Sequence, residues 1–248
     1  MSSRAPLLLL HGFAGGPFAW DRVVTSLHPD RRVLRPALLG HDVESTAALG
    51  AAGFEGEVER MAELVRQADW QDVHVCGYSL GGRVALGLLV QHPELFARAT
   101  VIGAHPGLAT ERERSERLAS DARWIALLRQ RGCEAFLEAW EAQPLFASQQ
   151  RLPEELRDAQ RAARRLHSVN GLASAMDHLG LARMPNYGER LGEIRIPVTL
   201  MVGEEDTKFR AVAGDMASRM ADVRLEIVPG AGHNVVLENP AAVARVLE

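Results

Sequence analysis

The segment 77–81 reads GYSLG, a G-x-S-x-G element whose surroundings suit a reactive serine. A short β-prone run at 73–76 precedes it, and apolar residues recur at helical spacing over 80–91. A strand that turns abruptly into a helix at a serine lifts the hydroxyl above the sheet edge, and flanking glycines let the backbones pass. The helix start also offers free N–H groups to a developing anion. The pattern therefore predicts a nucleophile or base at Ser79, with a plain tight turn as the alternative.

A serine hydroxyl becomes reactive only when a histidine takes its proton and a carboxylate orients that histidine. Asp206 follows a predicted strand at 200–203, and His233 lies in a glycine-rich turn after another at 225–228. Because the carboxyl ends of parallel strands meet at one edge of a sheet, these residues can lie together with Ser79. The order serine, aspartate, histidine is that of an α/β-hydrolase triad. The two glutamates directly before Asp206 are the alternative carboxylates.

An oxyanion hole should combine the backbone N–H of Leu80 with that of Phe13, which follows the first predicted strand. The glycine-rich loop 11–16 lacks the G-x-G-x-x-G spacing, so we reject a dinucleotide site there. We expect His11 to be structural beneath this loop. The sequence has no H-E-x-x-H motif, Cys/His cluster or P-loop, so we infer neither a metal nor a nucleotide cofactor.

The composition is that of an ordinary globular chain. Its 248 residues, 47% hydrophobic and 24% charged, are enough for one large α/β domain. A net charge of −4 gives no sign of a nucleic-acid or anionic-membrane partner. Cys76 and Cys133 do not make a disulfide framework, and the early apolar run at 7–10 is too short for a signal-peptide core or a membrane span. We therefore expect a reduced, cytoplasmic protein.

Strand and helix patterns alternate at both ends of the chain but not in its middle. Besides 7–10 and 73–76, strands are predicted at 33–38, 99–103, 197–202 and 224–228, with an amphipathic helix at 54–68. Only helical patterns occur in the middle, at 111–131, 133–142, 153–168 and 170–181. We predict an α/β-hydrolase fold with a mainly parallel sheet of about six strands and helices on both faces. Residues 1–106 and 196–248 would form this core, and 107–195 a helical cap insert.

Motifs along the whole chain resemble those of the 2-succinyl-6-hydroxy-2,4-cyclohexadiene-1-carboxylate synthase family of menaquinone biosynthesis. They are HGF at 11–13, GYSLGGR at 77–83, HPGL at 105–108, Arg117 with Asp121 and Trp124, FLEAW at 136–140, QPLF at 143–146, NGLA at 170–173, GE at 203–204, DTKF at 206–209 and GHN at 232–234. The triad and His-Gly elements are common to the superfamily, whereas the motifs between 117 and 173, with GR at 82–83 and DTKF at 206–209, are more specific. One loop departs from the pattern: LLGHD at 38–42 replaces the usual proline-glycine-histidine-glycine.

The resemblance implies an elimination, without a cofactor, from a small polycarboxylate. Ser79, activated by His233 and Asp206, would remove the proton α to the succinyl ketone of 2-succinyl-5-enolpyruvyl-6-hydroxy-3-cyclohexene-1-carboxylate. The oxyanion hole would hold the enolate, and pyruvate would leave. The residues that the resemblance assigns to substrate binding are Arg83, Arg117, Arg165 (with Arg164 as the alternative), Tyr78, Trp140 and Lys208, the only lysine among 28 basic residues.

Two other interpretations stay open. A carboxylesterase or a carbon–carbon bond hydrolase would use the same triad as a nucleophile, but an ester pocket is mostly apolar, whereas a polycarboxylate needs buried cations. A binding module with an inactive triad is the non-enzymatic alternative, since fold alone does not fix function. The intact set of serine, aspartate and histidine argues against the latter.

Overall fold

Six parallel strands form the sheet of the computed structural model, which describes residues 4–42 and 53–248. In chain order they are β1 (Leu7–Leu10), β2 (Val33–Leu34), β3 (Val73–Tyr78), β4 (Phe96–Ile102), β5 (Val198–Gly203) and β6 (Val223–Val228). Across the sheet they lie in the order β2-β1-β3-β4-β5-β6, and every neighbouring pair is parallel. The predicted sheet is confirmed.

Strand β2 is shorter than the predicted 33–38. It pairs with β1 only at Val33 and Leu34. Pro36 has no N–H to donate to a ladder, and the N–H of Leu38 donates to Nε2 of His11 at 3.0 Å. The chain beyond Leu34 therefore leaves the sheet and supports the loop that follows β1.

Helices cover both faces of the sheet. They are α1 (Asp21–Val24), α2 (Gly53–Gln67), α3 (Leu80–Gln91), α4 (Glu111–Glu141), α5 (Glu154–Arg164), α6 (Val169–Leu179), α7 (Thr207–Arg219), α8 (Val235–Glu238) and α9 (Pro240–Leu247), with 3₁₀ turns at Pro17–Trp20, Pro93–Leu95, Pro144–Arg151 and Tyr187–Glu193. None of the helices in the described ranges is long and apolar enough to cross a membrane.

Strand β1 shows why helices are needed on both faces. Leu8 and Leu10 pack into a core with α2, α3 and α7, whereas Leu7 and Leu9 pack into a second core with α1 and α9. All four are fully buried, because successive side chains of a strand point to opposite faces. Burying one such leucine contributes roughly 1.5–3 kcal/mol. A continuous apolar run is thus the pattern of a strand covered on both sides.

Between β4 and β5 the chain, all of it within the described ranges, forms helices and turns but no strand. Thr110 and Glu113 make a capping box at the start of α4. Gly132 interrupts α4 with φ 79°, which glycine adopts without strain, and this is the break predicted between 131 and 133. Helices α5 and α6 end earlier than the predicted 168 and 181. The boundaries 107 and 195 of the cap insert stay a prediction.

The turn from β3 into α3 brings three stretches of backbone together at glycines. A Cβ on Gly81 would overlap the carbonyl oxygen of Leu10, and one on Gly77 would overlap that of Gly81. The N–H of Gly81 donates to the carbonyl of His11 at 3.0 Å. Space, rather than backbone conformation, therefore requires glycine at both positions.

Gly81→Ala is expected to lower the free energy of unfolding by more than about 2 kcal/mol, because the backbone oxygens it meets cannot move aside as a flexible side chain can. Gly214 in α7 is the matched control, since a Cβ there would have nothing within 4 Å. Gly214→Ala should be neutral or stabilise by up to about 1 kcal/mol, because alanine is the better helix former. Urea denaturation measures both, and equal effects would contradict the close approach at Gly81.

Candidate active site

Ser79 occupies a strained turn between β3 and α3. Its backbone has φ 52° and ψ −106°, a conformation that costs a non-glycine residue about 1–3 kcal/mol. Its N–H donates to the carbonyl of Ile102 at 2.8 Å, which ties the turn to β4. The neighbouring strands therefore impose the strain, and the half-buried serine side chain lies at the carboxyl edge of the sheet.

Three side chains from distant segments meet at this edge. Oγ of Ser79 lies 3.2 Å from Nε2 of His233, and Nδ1 of His233 lies 2.6 Å from Oδ2 of Asp206. Asp206 follows β5 and caps α7, where its other oxygen accepts the N–H of Phe209 at 3.2 Å. With Nδ1–H donated to Asp206, Nε2 is left to accept the serine proton, which is the arrangement of a general base.

The two glutamates considered as alternatives to Asp206 have other partners. Glu204 accepts the N–H of Gly230 at 3.0 Å, and Glu205 pairs with Arg151 at 2.6 Å. Neither has a hydrogen bond with the histidine among the contacts of the described residues. Of the three carboxylates, only Asp206 meets the ring.

Glu238, which the sequence patterns did not single out, holds the loop that carries His233. Its carboxylate accepts the N–H of Gly232 at 2.7 Å and that of Asn234 at 3.1 Å. The loop is thus fastened on both sides of the histidine. The only sign of this role of Glu238 in the sequence is that an acidic residue lies one helical turn after Asn234.

Phe13 and Leu80 line the cavity beside Ser79. Leu80 is the first residue of α3, so its N–H is one of the donors that a helix start leaves without a partner. In the part of the chain that the structure describes, neither this N–H nor that of Phe13 has a hydrogen-bond acceptor. Both are available to a developing oxyanion.

Two buried histidines hold the loop that presents the Phe13 amide. Nδ1 of His11 donates to the carbonyl of Gly12 at 2.8 Å, while its Nε2 accepts from the chain after β2. Nε2 of His41 accepts the N–H of Ala14 at 3.0 Å, and Ala14 has a left-handed φ of 54°. Each ring must be neutral to accept. Burial lowers the pKa of His11 to about 4 and that of His41 well below its ordinary value.

Ser79 opens onto a cavity of about 360 Å³ with a strongly cationic wall. Asp121 is the only carboxylate among its described lining residues. Four cationic side chains line it, each from a different helix: Arg83 from α3, Arg117 from α4, Arg164 from α5 and Lys208 from α7. The cavity is therefore suited to an anionic ligand.

Arg83 and Arg117 repel each other in this wall. Burial and the nearby charge of Arg117 lower the pKa of Arg83 to about 9. Nε of Arg117 donates to Asp121 at 2.8 Å, and burial raises the pKa of Asp121. An anion bound between the two guanidinium groups would relieve this repulsion.

Arg164, not Arg165, faces the cavity, which corrects the sequence-based assignment. Arg164 is 5% exposed and donates to Glu141 at 3.0 Å. Arg165 points to solvent, where its Nε and Nη2 donate to the exposed carboxylate of Glu134. Arg164 is the last residue of α5 and Arg165 is its C-cap, so the two lie about 100° apart around the helix axis and their side chains leave it in different directions.

The remaining predicted residues, Tyr78, Trp140 and Lys208, all line the cavity. The Tyr78 ring lies 5.4 Å from that of His233, and burial raises the pKa of its phenol. The Trp140 ring lies 5.2 Å from that of Phe13, so an aromatic residue of α4 contacts the loop that presents the Phe13 amide. Lys208 is exposed at the rim.

Several further lining residues were noted only as parts of family-like motifs, among them Phe146 and His105. The ring of Phe146 lies 6.1 Å from that of His233. His105 follows β4, and burial together with Lys208 and Arg83 lowers its pKa. Within residues 4–42 and 53–248 no three His, Cys, Asp or Glu side chains are grouped to hold a metal ion.

The parallel sheet, the strained serine after β3 and the histidine and aspartate that meet it define the class of α/β hydrolases. The chain matches the alpha/beta hydrolase family over residues 7–246. Among solved structures, MenH from S. aureus is 26% identical with a TM-score of 0.94, covering 100% of this chain and 93% of that one. A thermophilic esterase from Thermogutta terrifontis is 24% identical with a TM-score of 0.84, and the match covers 99% of this chain and 88% of that one. This likeness shows the fold alone.

Two relatives are named 2-succinyl-6-hydroxy-2,4-cyclohexadiene-1-carboxylate synthase. The protein from Enterobacter sp. (strain 638) is 35% identical over 241 residues, which is 97% of this chain and 89% of that protein. The protein from Salmonella paratyphi A is 34% identical over 237 residues, 96% and 90% of the two chains. The chain belongs to this family of α/β hydrolases.

The free energy of unfolding should fall as the pH drops below about 6.5, because His11 then binds a proton in the unfolded chain but stays neutral in the folded protein. With the pKa of His11 at about 4 when folded and about 6.5 when unfolded, this residue alone should cost about 2 kcal/mol between pH 7 and pH 5. Urea denaturation across this range should show a smaller loss of stability for His11→Gln than for the unsubstituted protein. Parallel curves would contradict a neutral, buried His11.

Proposed function

We propose that this protein is a lyase that eliminates pyruvate from 2-succinyl-5-enolpyruvyl-6-hydroxy-3-cyclohexene-1-carboxylate to give 2-succinyl-6-hydroxy-2,4-cyclohexadiene-1-carboxylate, a step of menaquinone biosynthesis. One observation carries the proposal: the serine–histidine pair opens onto a cavity lined by four cationic side chains and one carboxylate. A substrate with several carboxylates requires such a wall, whereas a simple ester does not. The names of the relatives support the same reaction.

In the proposed step Ser79 acts as a base. Nε2 of His233, 3.2 Å from Oγ, takes the serine proton as Oγ removes the proton on the ring carbon next to the succinyl ketone. Asp206, 2.6 Å from Nδ1, stabilises the imidazolium that forms. The electrons of the broken C–H bond move through the ring double bond and expel the enolpyruvyl oxygen as enolpyruvate. This turns the 3-ene of the substrate into the 2,4-diene of the product. The leaving group takes the proton from Nε2 of His233 and tautomerises to pyruvate, which returns the triad to its starting state.

The enolate of the succinyl ketone is the species that needs stabilisation. Its oxygen would accept the N–H groups of Phe13 and Leu80, which have no other acceptor in the described structure. An enolate oxygen resembles the tetrahedral oxyanion of acyl transfer, so one pair of donors suits either reaction. Removing a single such donor typically costs about 10²–10³ in kcat.

The arginines would hold the carboxylates of the substrate away from the reacting carbon. Only Nε of Arg117 is engaged, by Asp121, among the contacts of the described residues, so its two terminal amino groups remain for a ligand. Guanidinium groups suit this role because each can grip a carboxylate through two parallel hydrogen bonds. The net charge of −4 gives little steering of an anion by the molecule as a whole, so recognition depends on this local cluster.

The second candidate is a carboxylesterase or carbon–carbon bond hydrolase that uses Ser79 as the nucleophile. The same serine–histidine geometry supports it. Both reactions place negative charge on the substrate, but the proposed elimination acts on a substrate that already carries several carboxylates, whereas a simple ester is neutral. The two reactions should therefore respond differently to loss of a cavity arginine.

Ser79→Ala should lower the rate of pyruvate release from the enolpyruvyl substrate by a factor on the order of 10³ or more, since the group that exchanges protons with the substrate is removed. Ser120 lines the same cavity without a hydrogen bond to His233 and is the matched control. Ser120→Ala should change the rate less than about tenfold. Coupled spectrophotometric detection of pyruvate measures both, and near-normal turnover by Ser79→Ala would remove serine from the mechanism.

Arg117→Ala should lose about 10- to 150-fold in kcat/KM on the polycarboxylate substrate, the value of one charged hydrogen bond. Hydrolysis of a small neutral ester should hardly change. Arg165→Ala is the control, because that guanidinium pairs with Glu134 at the surface, and both activities should be retained. Equal losses by Arg117→Ala on the two substrates, or none on either, would rule out the proposed substrate class.

A further inference from the structure

Strand β6 is an open edge of the sheet. It ends the strand order next to β5, and apart from Leu166 its Leu225 and Ile227 are the only large apolar side chains that are exposed among the described residues, at 39% and 41%. The residues on either side of the strand, Asp222 and Pro229, are exposed as well. Such an edge is a template for pairing with another strand.

The backbone groups of β6 alternate between its neighbour and open space. The carbonyls of Asp222 and Val228 accept hydrogen bonds from the β5 side of the sheet. Because the direction of the backbone N–H and C=O groups alternates along a strand, those of residues 224 and 226 also face β5. The N–H and C=O groups of residues 223, 225 and 227 face away from the sheet. In the described part of the chain no hydrogen bond reaches these outward groups.

We propose that the protein forms a two-fold symmetric dimer in which the β6 edges of two copies pair antiparallel and join the two sheets. A two-fold axis requires an edge that complements itself. In an antiparallel pair, two residues that lie opposite each other either both direct their N–H and C=O groups at the partner strand or both direct them away from it. Residues 223, 225 and 227 must therefore lie opposite residues of the same set in the second copy. This is possible only when the two-fold axis passes through a residue and not between two residues.

Among axes at the central residues Arg224, Leu225 and Glu226, only the one at Leu225 gives complementary charges. With the axis at Arg224 this arginine lies opposite its own copy, and with the axis at Glu226 two glutamates meet. With the axis at Leu225, Arg224 lies opposite Glu226 of the second copy, twice over. On the other face Leu225 lies opposite Leu225, and Val223 opposite Ile227. Cross-strand pairs of these kinds stabilise a sheet, whereas like charges directly opposite destabilise it.

The charges and the proposed active sites are compatible with this pairing. Arg224 and Glu226 already form an ion pair within one chain at 2.6 Å, with Arg224 72% exposed, so two copies would make an alternating network of four charges. The candidate triad lies at the carboxyl edge of each sheet. Antiparallel pairing sends these edges in opposite directions, so neither cavity is covered and each copy should keep its own activity.

Sedimentation velocity over about 1–100 μM protein tests the proposal, since a strand edge of this length is a small interface with an expected Kd in the micromolar range. The unsubstituted protein should shift from monomer to dimer. Arg224→Glu places glutamate opposite glutamate, and Glu226→Arg places arginine opposite arginine, so each variant alone should remain monomeric. Retained catalytic activity and unfolding midpoint show that both variants are folded.

The pairing itself is tested by recombining the charges. An equal mixture of Arg224→Glu and Glu226→Arg should form heterodimers, because each glutamate then meets an arginine. The double variant, which exchanges the two charges within one chain, should dimerise again. A protein that stays monomeric throughout, a dimer that survives both single reversals, or a mixture and double variant that remain monomeric would each overturn the proposal.

Discussion

The close approach of three backbone segments, at Leu10, Gly77 and Gly81, is the constraint on which the rest of the structure depends. Carbonyl oxygens occupy the space where a Cβ would stand, so β1, β3 and α3 can meet only through glycine. That contact fixes the strained backbone of Ser79 and starts α3 with a free N–H at Leu80. It also sets the distance from α3 to the loop after β1. The two candidate oxyanion donors therefore come from two elements that one backbone crossing holds together.

Neutral, buried polar groups extend this constraint outward. The loop that presents Phe13 has a non-glycine residue in the left-handed region, Ala14, which His41 holds through its N–H. His11 ties the same loop to the chain beyond β2. A buried ring can do this only when uncharged, because desolvation disfavours the imidazolium. Rigidity of the site is thus linked to a protonation state, and the shortened β2 is part of the same arrangement.

Much of the fold was predictable because single residue types decide it. The four leucines of β1 read as a strand buried on both faces, the GYSLG segment as a strand-to-helix turn, and Gly132 as a break in the long helix. The parts that were not predictable depend on partners distant in the sequence. Whether Arg164 or Arg165 faces the cavity is decided by the positions of Glu141 and Glu134 on another helix. The role of Glu238 likewise depends on how the loop around His233 folds back.

The cationic cavity has a cost that its carboxylates reduce. Arg83 lies buried near Arg117, and its pKa is lowered first by burial and then by the charge of Arg117. Asp121 offsets that charge while engaging only one nitrogen of Arg117, and Glu141 holds Arg164 in the same way. A buried guanidinium without such a partner would be desolvated and unpaired, which destabilises the folded protein. The carboxylates hold Arg117 and Arg164 in place before a ligand binds, so binding does not have to order these side chains. In the proposed function, selection for an anionic substrate would therefore depend on acidic residues as well as basic ones.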